Sequence, residues 1–210
     1  YLSSFMKNKI AKKSKKIQYF SEKELIKLRL IHGNDHSSIY LVFNLQNLHL
    51  FAMKITNKPA KHEVEFCKKH SHRCITHFYG FIIKNDQIIG FLYEFMSNGN
   101  LHKYISKNKN KINSLFINNT LIRLYQRINY LQSNFLIHRD LKPLNILIDH
   151  DEKVFISDFE TIRSVLNTNK KEVNKEESQF TNDIGSIIYS SPEQISGNEV
   201  SLPTDIYSLG

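Results

Sequence analysis

Hydrophobic and polar positions recur with changing period along the chain, and the changes of period mark out its elements. β-Favouring residues fill 28–42 on either side of a polar break at 32–38, which predicts two strands joined by a turn. Residues 48–55 read as a further strand. Over 59–72, Glu63, Phe66, Cys67 and His70 fall on related faces of a helix. Residues 75–81 and 88–93 alternate with turn residues, as two more strands do. From about 115 to 134, Leu121, Leu124, Tyr125, Ile128 and Leu131 keep helical spacing, which predicts a buried helix. Residues 151–156 read as a turn and a strand, and 163–184 are mainly polar and charged. Ser21-Glu22-Lys23-Glu24 has capping-box spacing and predicts a short helical turn. Periodicity alone therefore gives an α+β chain whose first third is rich in β-structure.

Composition narrows the classes. The 210 residues are 40% hydrophobic and 11% aromatic, enough to bury a core. The formal net charge is +9, and Lys7, Lys9, Lys12, Lys13, Lys15 and Lys16 crowd the N-terminal end. That run reads as a solvated tail, or as a segment that lies against an anionic membrane surface. Elsewhere the lysines are spread out, with no RNP-like aromatic pattern and no DNA-binding motif, so no nucleic-acid partner is expected. Two cysteines, Cys67 and Cys74, do not make a disulfide scaffold and fit a cytoplasmic setting, or the cytoplasmic face of a membrane. No apolar run of membrane-spanning length occurs. The chain begins at Tyr1, which suggests sequence upstream. His62, Cys67, His70, His72, Cys74 and His77 match no standard zinc spacing, and no metal is expected there.

The run His138-Arg139-Asp140-Leu141-Lys142-Pro143-Leu144-Asn145-Ile146-Leu147 resembles the catalytic loop of eukaryotic protein kinases, H-R-D-L-x-x-x-N. The resemblance implies that Asp140 orients a substrate hydroxyl and accepts its proton. It implies that Lys142 offsets charge on the transferring phosphoryl group and that Asn145 offers an oxygen to Mg2+. Other motifs follow in the family's order. Phe51-Ala52-Met53-Lys54 resembles the strand whose Lys contacts the ATP phosphates, and Glu63, with Glu65 as the alternative, resembles the helix carboxylate that pairs with it. Residues 91–101 resemble the hinge, where adenine meets backbone around Glu94 to Met96 and Tyr93 is the gatekeeper. Ser157-Asp158-Phe159-Glu160 resembles D-F-G, with Asp158 on Mg2+ and Phe159 packed beneath the helix of Glu63. Ile39, Ala52 and Leu147 complete the implied ATP site. Arg139 would receive a phosphate on an activation loop at Thr168, Ser178 or Thr181, and Ser186 would contact Asp140 and Lys142. Gly185 to Glu193 resembles G-T-x-x-Y-x-A-P-E, and Asp205-Ile206-Tyr207-Ser208-Leu209-Gly210 the start of a long helix of the second lobe.

The implied fold is α+β and bilobal: a lead-in over 1–24, a β-rich N-lobe and hinge over 25–96, and a partial helical C-lobe over 97–210. With the helices that follow in the family lying past Gly210, these residues alone are expected to give an incomplete and marginally stable C-lobe. The implied activity is transfer of the ATP γ-phosphate to a protein hydroxyl. Asp140-Leu141-Lys142-Pro143 looks like the Ser/Thr type, and the hinge with Phe78-Tyr79-Gly80-Phe81 looks like the tyrosine-kinase-like group. Two departures bear on this. The glycines of G-x-G-x-x-G-x-V fall on His32, Asn34 and Ser37, and Glu160 replaces the glycine of D-F-G, restricting φ and adding a negative charge. They define the alternative, a pseudokinase acting as a nucleotide-binding or scaffold module.

Overall fold

The computed structural model of this chain describes residues 17–165, 187–198 and 200–210. Its first half is a six-stranded sheet in the order β1-β5-β6-β4-β3-β2. The strands are β1 (Gln18–Ser21), β2 (Leu25–Gly33), β3 (Ser37–Asn44), β4 (His49–Thr56), β5 (Phe78–Lys84) and β6 (Gln87–Glu94). Neighbours from β2 to β5 along that order are antiparallel, whereas β1 joins β5 in parallel, Gln18 opposite Gly80. One face of the sheet buries Leu25, Val42, Phe51, Met53, Ile82 and Leu92. Two glycines let its backbones close up. A Cβ on Gly90 would lie 2.2 Å from the Lys54 carbonyl oxygen, and one on Gly80 would lie 2.3 Å from the Gln18 carbonyl oxygen.

The strand at Gln18–Ser21 corrects the lead-in expected over 1–24, whose last residues belong to the sheet. The physical reason is two apolar side chains in a lysine-rich run: Ile17 and Phe20 pack against the core. Ser21 then caps the turn at Glu22–Glu24, with the Ser21 amide donating to the Glu24 carboxylate at 2.6 Å. The helix expected over 59–72 is shorter, α1 (Lys61–Lys69). At its end His70 takes extended backbone angles, and the residues beyond serve another purpose: the His72 ring stacks on Tyr130 at 4.0 Å. The strand expected from 75 begins at Phe78, and Ile75 makes only an isolated bridge to Ile156.

The second half is mainly helical. It contains α2 (Leu101–Lys107), α3 (Ser114–Ser133), α4 (Pro192–Ile195) and α5 (Pro203–Leu209). It also has two short two-stranded ladders, β7 (Leu136–Ile137) with β10 (Arg163–Ser164), and β8 (Ile146–Ile148) with β9 (Val154–Ile156). Asparagine side chains start α2 and α3: Asn100 accepts from the Lys103 amide and Asn113 from the Phe116 amide, both at 2.9 Å. A core joins the halves, with Phe66 and Cys67 of α1, Phe81 and Phe91 of the sheet, Ile128 and Leu131 of α3, and Phe159. Each of its buried Phe side chains contributes about 1.5–3 kcal/mol relative to exposure. A β-rich lobe thus sits on a helical lobe, and the segments between them carry the residues of the candidate site. Among the described residues, no helix is long and apolar enough to cross a membrane.

Candidate active site

Lys54 is on β4, opposite Ile39 of β3 and Phe91 of β6, so three strands hold its backbone. Its Nζ donates to both oxygens of Glu63, at 3.1 and 3.0 Å, and to Asp158 Oδ1 at 3.1 Å. The helix carboxylate is therefore Glu63, and Glu65 pairs with Lys69 instead. Tyr93, at the end of β6, donates its hydroxyl to Glu63 Oε1 at 3.0 Å and meets Cys67 Sγ at 3.3 Å. Burial works to lower the Lys54 pKa, but the carboxylates of Asp158, Glu63 and Glu160 outweigh it and hold the ammonium above the usual lysine range. Burial pushes the Glu63 carboxyl up against the opposing pull of Lys54. It also pushes up the Cys67 thiol and the Tyr93 phenol, so both stay neutral and Tyr93 remains a donor. For Asp158, burial acts upward, and the charge and hydrogen bond of Lys54 together with the charges of His138 and Lys142 outweigh it, leaving the carboxyl below its ordinary value.

The loop after β7 is pinned from below. Asp205 of α5 is fully buried and accepts the amides of His138 at 2.8 Å and Arg139 at 3.0 Å. These bonds hold Arg139 in the left-handed region, φ 73°. The Arg139 carbonyl accepts from Gln194 Nε2 at 2.8 Å, and the His138 carbonyl accepts from Thr161 Oγ1 at 2.7 Å. Further along the loop, both half-buried, Asp140 Oδ2 lies 3.0 Å from Lys142 Nζ. Asn145 Nδ2 donates at 2.8 Å to both the carbonyl and Oδ2 of Asp140. The Ser157 amide and hydroxyl both bond the Asn145 carbonyl at 3.0 Å, which ties this loop to the segment of Asp158. Asp158 itself is left-handed, φ 63°, and Phe159 beside it is buried against Phe66 with ring centroids 4.3 Å apart. A hydroxyl or phosphoryl group brought to this loop meets one carboxylate held at a fixed angle with an ammonium beside it.

The model of the protein kinase domain family matches residues 26–210. The chain belongs to the protein kinase domain family. It is 30% identical over 178 residues to the cysteine-rich receptor-like protein kinase 45 of Arabidopsis thaliana, covering 79% of this chain and 49% of that protein. Over 204 residues it is 28% identical to the dual specificity mitogen-activated protein kinase kinase dSOR1 of Drosophila melanogaster, covering 93% and 48%. Over 193 residues it is 27% identical to the serine/threonine-protein kinase PrkC of Bacillus subtilis, covering 87% and 28%. The kinase chain thus spans about half the length of these curated relatives, or less.

At the expected hinge, Ala52 lies opposite Tyr93, and Glu94 ends β6 with its amide bonded to the His77 carbonyl at 2.9 Å. Met96 is buried, and Leu147 of β8 bridges to Asn100 just beyond the hinge. Ser186, Thr168, Ser178 and Thr181 lie outside the described residues, as does the run from Lys7 to Lys16. At the hairpin of residues 32–38 the Asn34 side chain accepts the amides of His36 and Ser37, at 2.9 and 2.8 Å. Two backbone donors near the expected phosphate loop are thereby used within the hairpin. Glu160 departs from expectation too: it is not among the positive-φ residues, so a side chain there carries no left-handed strain. Sequence reasoning missed the hold of Asp205 on His138 and Arg139, the Gln194 contact and the Tyr93–Glu63 bond. A buried acid at the start of an apolar helix was the available signal for the first. No signal existed for the other two.

Proposed function

We propose that this kinase domain transfers the γ-phosphate of ATP to serine or threonine hydroxyls of proteins. The observation that carries the reading is the closed Lys54: one ammonium bonded at once to Glu63 of α1 and to Asp158 of the second lobe. That bond joins both lobes around the point where phosphates would be gripped, at the cost of ordering three elements. In this reading Lys54, held by Glu63, which Tyr93 holds in turn, binds the α and β phosphates. Asp140, oriented by Asn145 and Lys142, turns the substrate hydroxyl toward the γ-phosphorus and takes its proton as the new O–P bond forms and the bond to ADP breaks. Lys142 offsets charge on the moving group.

The donor set fits magnesium. Asn145 commits its Nδ2 to Asp140, which turns its amide oxygen away from that carboxylate, and Asp158 offers a partly open carboxylate on a neighbouring segment. These are hard oxygen ligands of the kind Mg2+ takes beside phosphates. When bound, the ion neutralises phosphate charge. Support for the Ser/Thr type comes from Lys142 at 3.0 Å from Asp140, together with the names of the relatives.

A second reading, a nucleotide-binding module without turnover, is favoured by Glu160 Oε2 at 3.6 Å from Lys54 and by the hairpin amides taken up by Asn34. Transfer from labelled ATP to Ser/Thr and Tyr peptide pools by the full-length protein separates the two. Asp140→Asn is expected to fold normally and to lose turnover by about 10^3-fold. Equal transfer by parent and variant would remove Asp140 from its role. Nucleotide binding without any transfer would favour the module.

A further inference from the structure

Glu160 stands where the family's motif has glycine, and none of the roles above uses it. Lys54 faces three carboxylates, and their exposure differs. The Glu63 side chain is 1% exposed, that of Asp158 43% and that of Glu160 56%. Glu63 therefore closes the buried side of the ammonium, and its open side is the side of Asp158 and Glu160. A phosphate that reaches Lys54 arrives from there and meets one positive charge with two negative ones beside it. The backbone nearby offers limited relief, because the His36 and Ser37 amides are turned to Asn34. Nor is Glu160 held in place by backbone need, since the left-handed position of the segment is Asp158.

We propose that Glu160 is a specificity-determining residue: it sets the Lys54 site against free nucleotide and widens its preference for nucleotide carried as the divalent-cation complex. The inference rests on reading Lys54 as a phosphate-binding residue. A glycine at 160 leaves the open face of Lys54 with one carboxylate, a carboxylate that the cation itself would use. Glu160 adds a second that stays in place to repel bare phosphate oxygens. Across a distance of a few ångströms in half-exposed surroundings, one such charge corresponds to about tenfold in affinity.

The test is calorimetric titration of ADP and ATP into the full-length protein, with Mg2+ or with EDTA, for the parent, Glu160→Gln and Glu160→Ala. Far-UV circular dichroism and thermal midpoints check that all three are folded. In both variants the affinity for nucleotide in EDTA is expected to rise about tenfold, while that for the Mg2+ complex changes by less than about threefold. The advantage given by Mg2+ then shrinks about tenfold. A parent that binds nucleotide, with variants of unchanged Mg2+ advantage, overturns the inference and leaves the phosphate-site reading standing. An advantage that shrinks because the Mg2+ complex binds more weakly makes Glu160 a holder of the cation and overturns it as well. Absence of nucleotide binding by all three proteins overturns both.

Discussion

Asp158 is the residue on which charge, backbone and packing meet. Its left-handed backbone places Phe159 in the core while its own carboxylate turns to Lys54. Because Lys54 holds the Asp158 pKa below its ordinary value, the folded protein binds that proton less readily than the unfolded chain. Its contribution to stability is present above about pH 3.9 and is lost as pH falls through that value toward the depressed one. Glu63 has the opposite sign, since burial raises its pKa. Asp158→Asn removes the first effect and, of the second, only the smaller part owed to the Asp158 charge, since burial is the larger cause, so its stability is expected to fall less steeply than the parent's below about pH 4. Thermal midpoints from pH 3 to 7 check this, and parallel acid limbs would show that the Lys54–Asp158 pair does not report on folding. The identities of Lys54, Glu63, Asp140, Asn145 and Asp158 were legible as a series of motifs because each occupies a fixed place in one chain order. The Tyr93 hydroxyl bond to Glu63 was not legible, because it depends on the distance between a strand end and a helix, and no local pattern encodes that.

At the scale of elements, the sheet was legible wherever apolar residues alternate, and β1 was missed because four residues beside a lysine run carry too little pattern. What makes it a strand is tertiary: the open backbone edge of β5 and the seats for Ile17 and Phe20. Tyr19 adds a ring contact to Phe81 at 5.9 Å. This strand also brings the chain that follows the N-terminal lysines to the edge of the lobe that carries α1. A protein starting at Ile17 is expected to keep the parent's stability. One starting at Glu22 loses the ladder to β5 and the burial of Ile17 and Phe20, and is expected to lose about 1–3 kcal/mol. Urea unfolding of the two truncations decides it. Equal midpoints would mean that β1 lies on the sheet without stabilising it.

For the whole molecule, the decisive feature is how unevenly apolar surface is covered. The halves are joined by a continuous core from Phe66 to Ile128 and Leu131 through Phe159, so the interlobe seam is well buried. The far side of the helical lobe differs. Along α3, Leu124, Ile128 and Leu131 face inward, but Leu115, Leu121, Ile122 and Tyr125 are exposed, and so are Ile188, Ile206 and Tyr207 around α5. A groove lined by Ile105, Phe116, Leu121, Tyr189 and Leu209 runs between α2, α3 and α5. Apolar area gathered in this way is more than isolated surface residues account for. The 210-residue polypeptide is therefore expected to bind an environment-sensitive apolar dye in native buffer. The helical lobe should lose structure at lower denaturant than the sheet, giving a broad or two-step transition in place of a single sharp one. Fluorescence of the dye and circular dichroism across a urea series read both. The net charge of +9 opposes aggregation, so dye binding at micromolar protein can be read before association intervenes. A single cooperative transition with no dye bound would show that the core joining the lobes is enough to stabilise both, and that the exposed face of α3 costs the fold nothing.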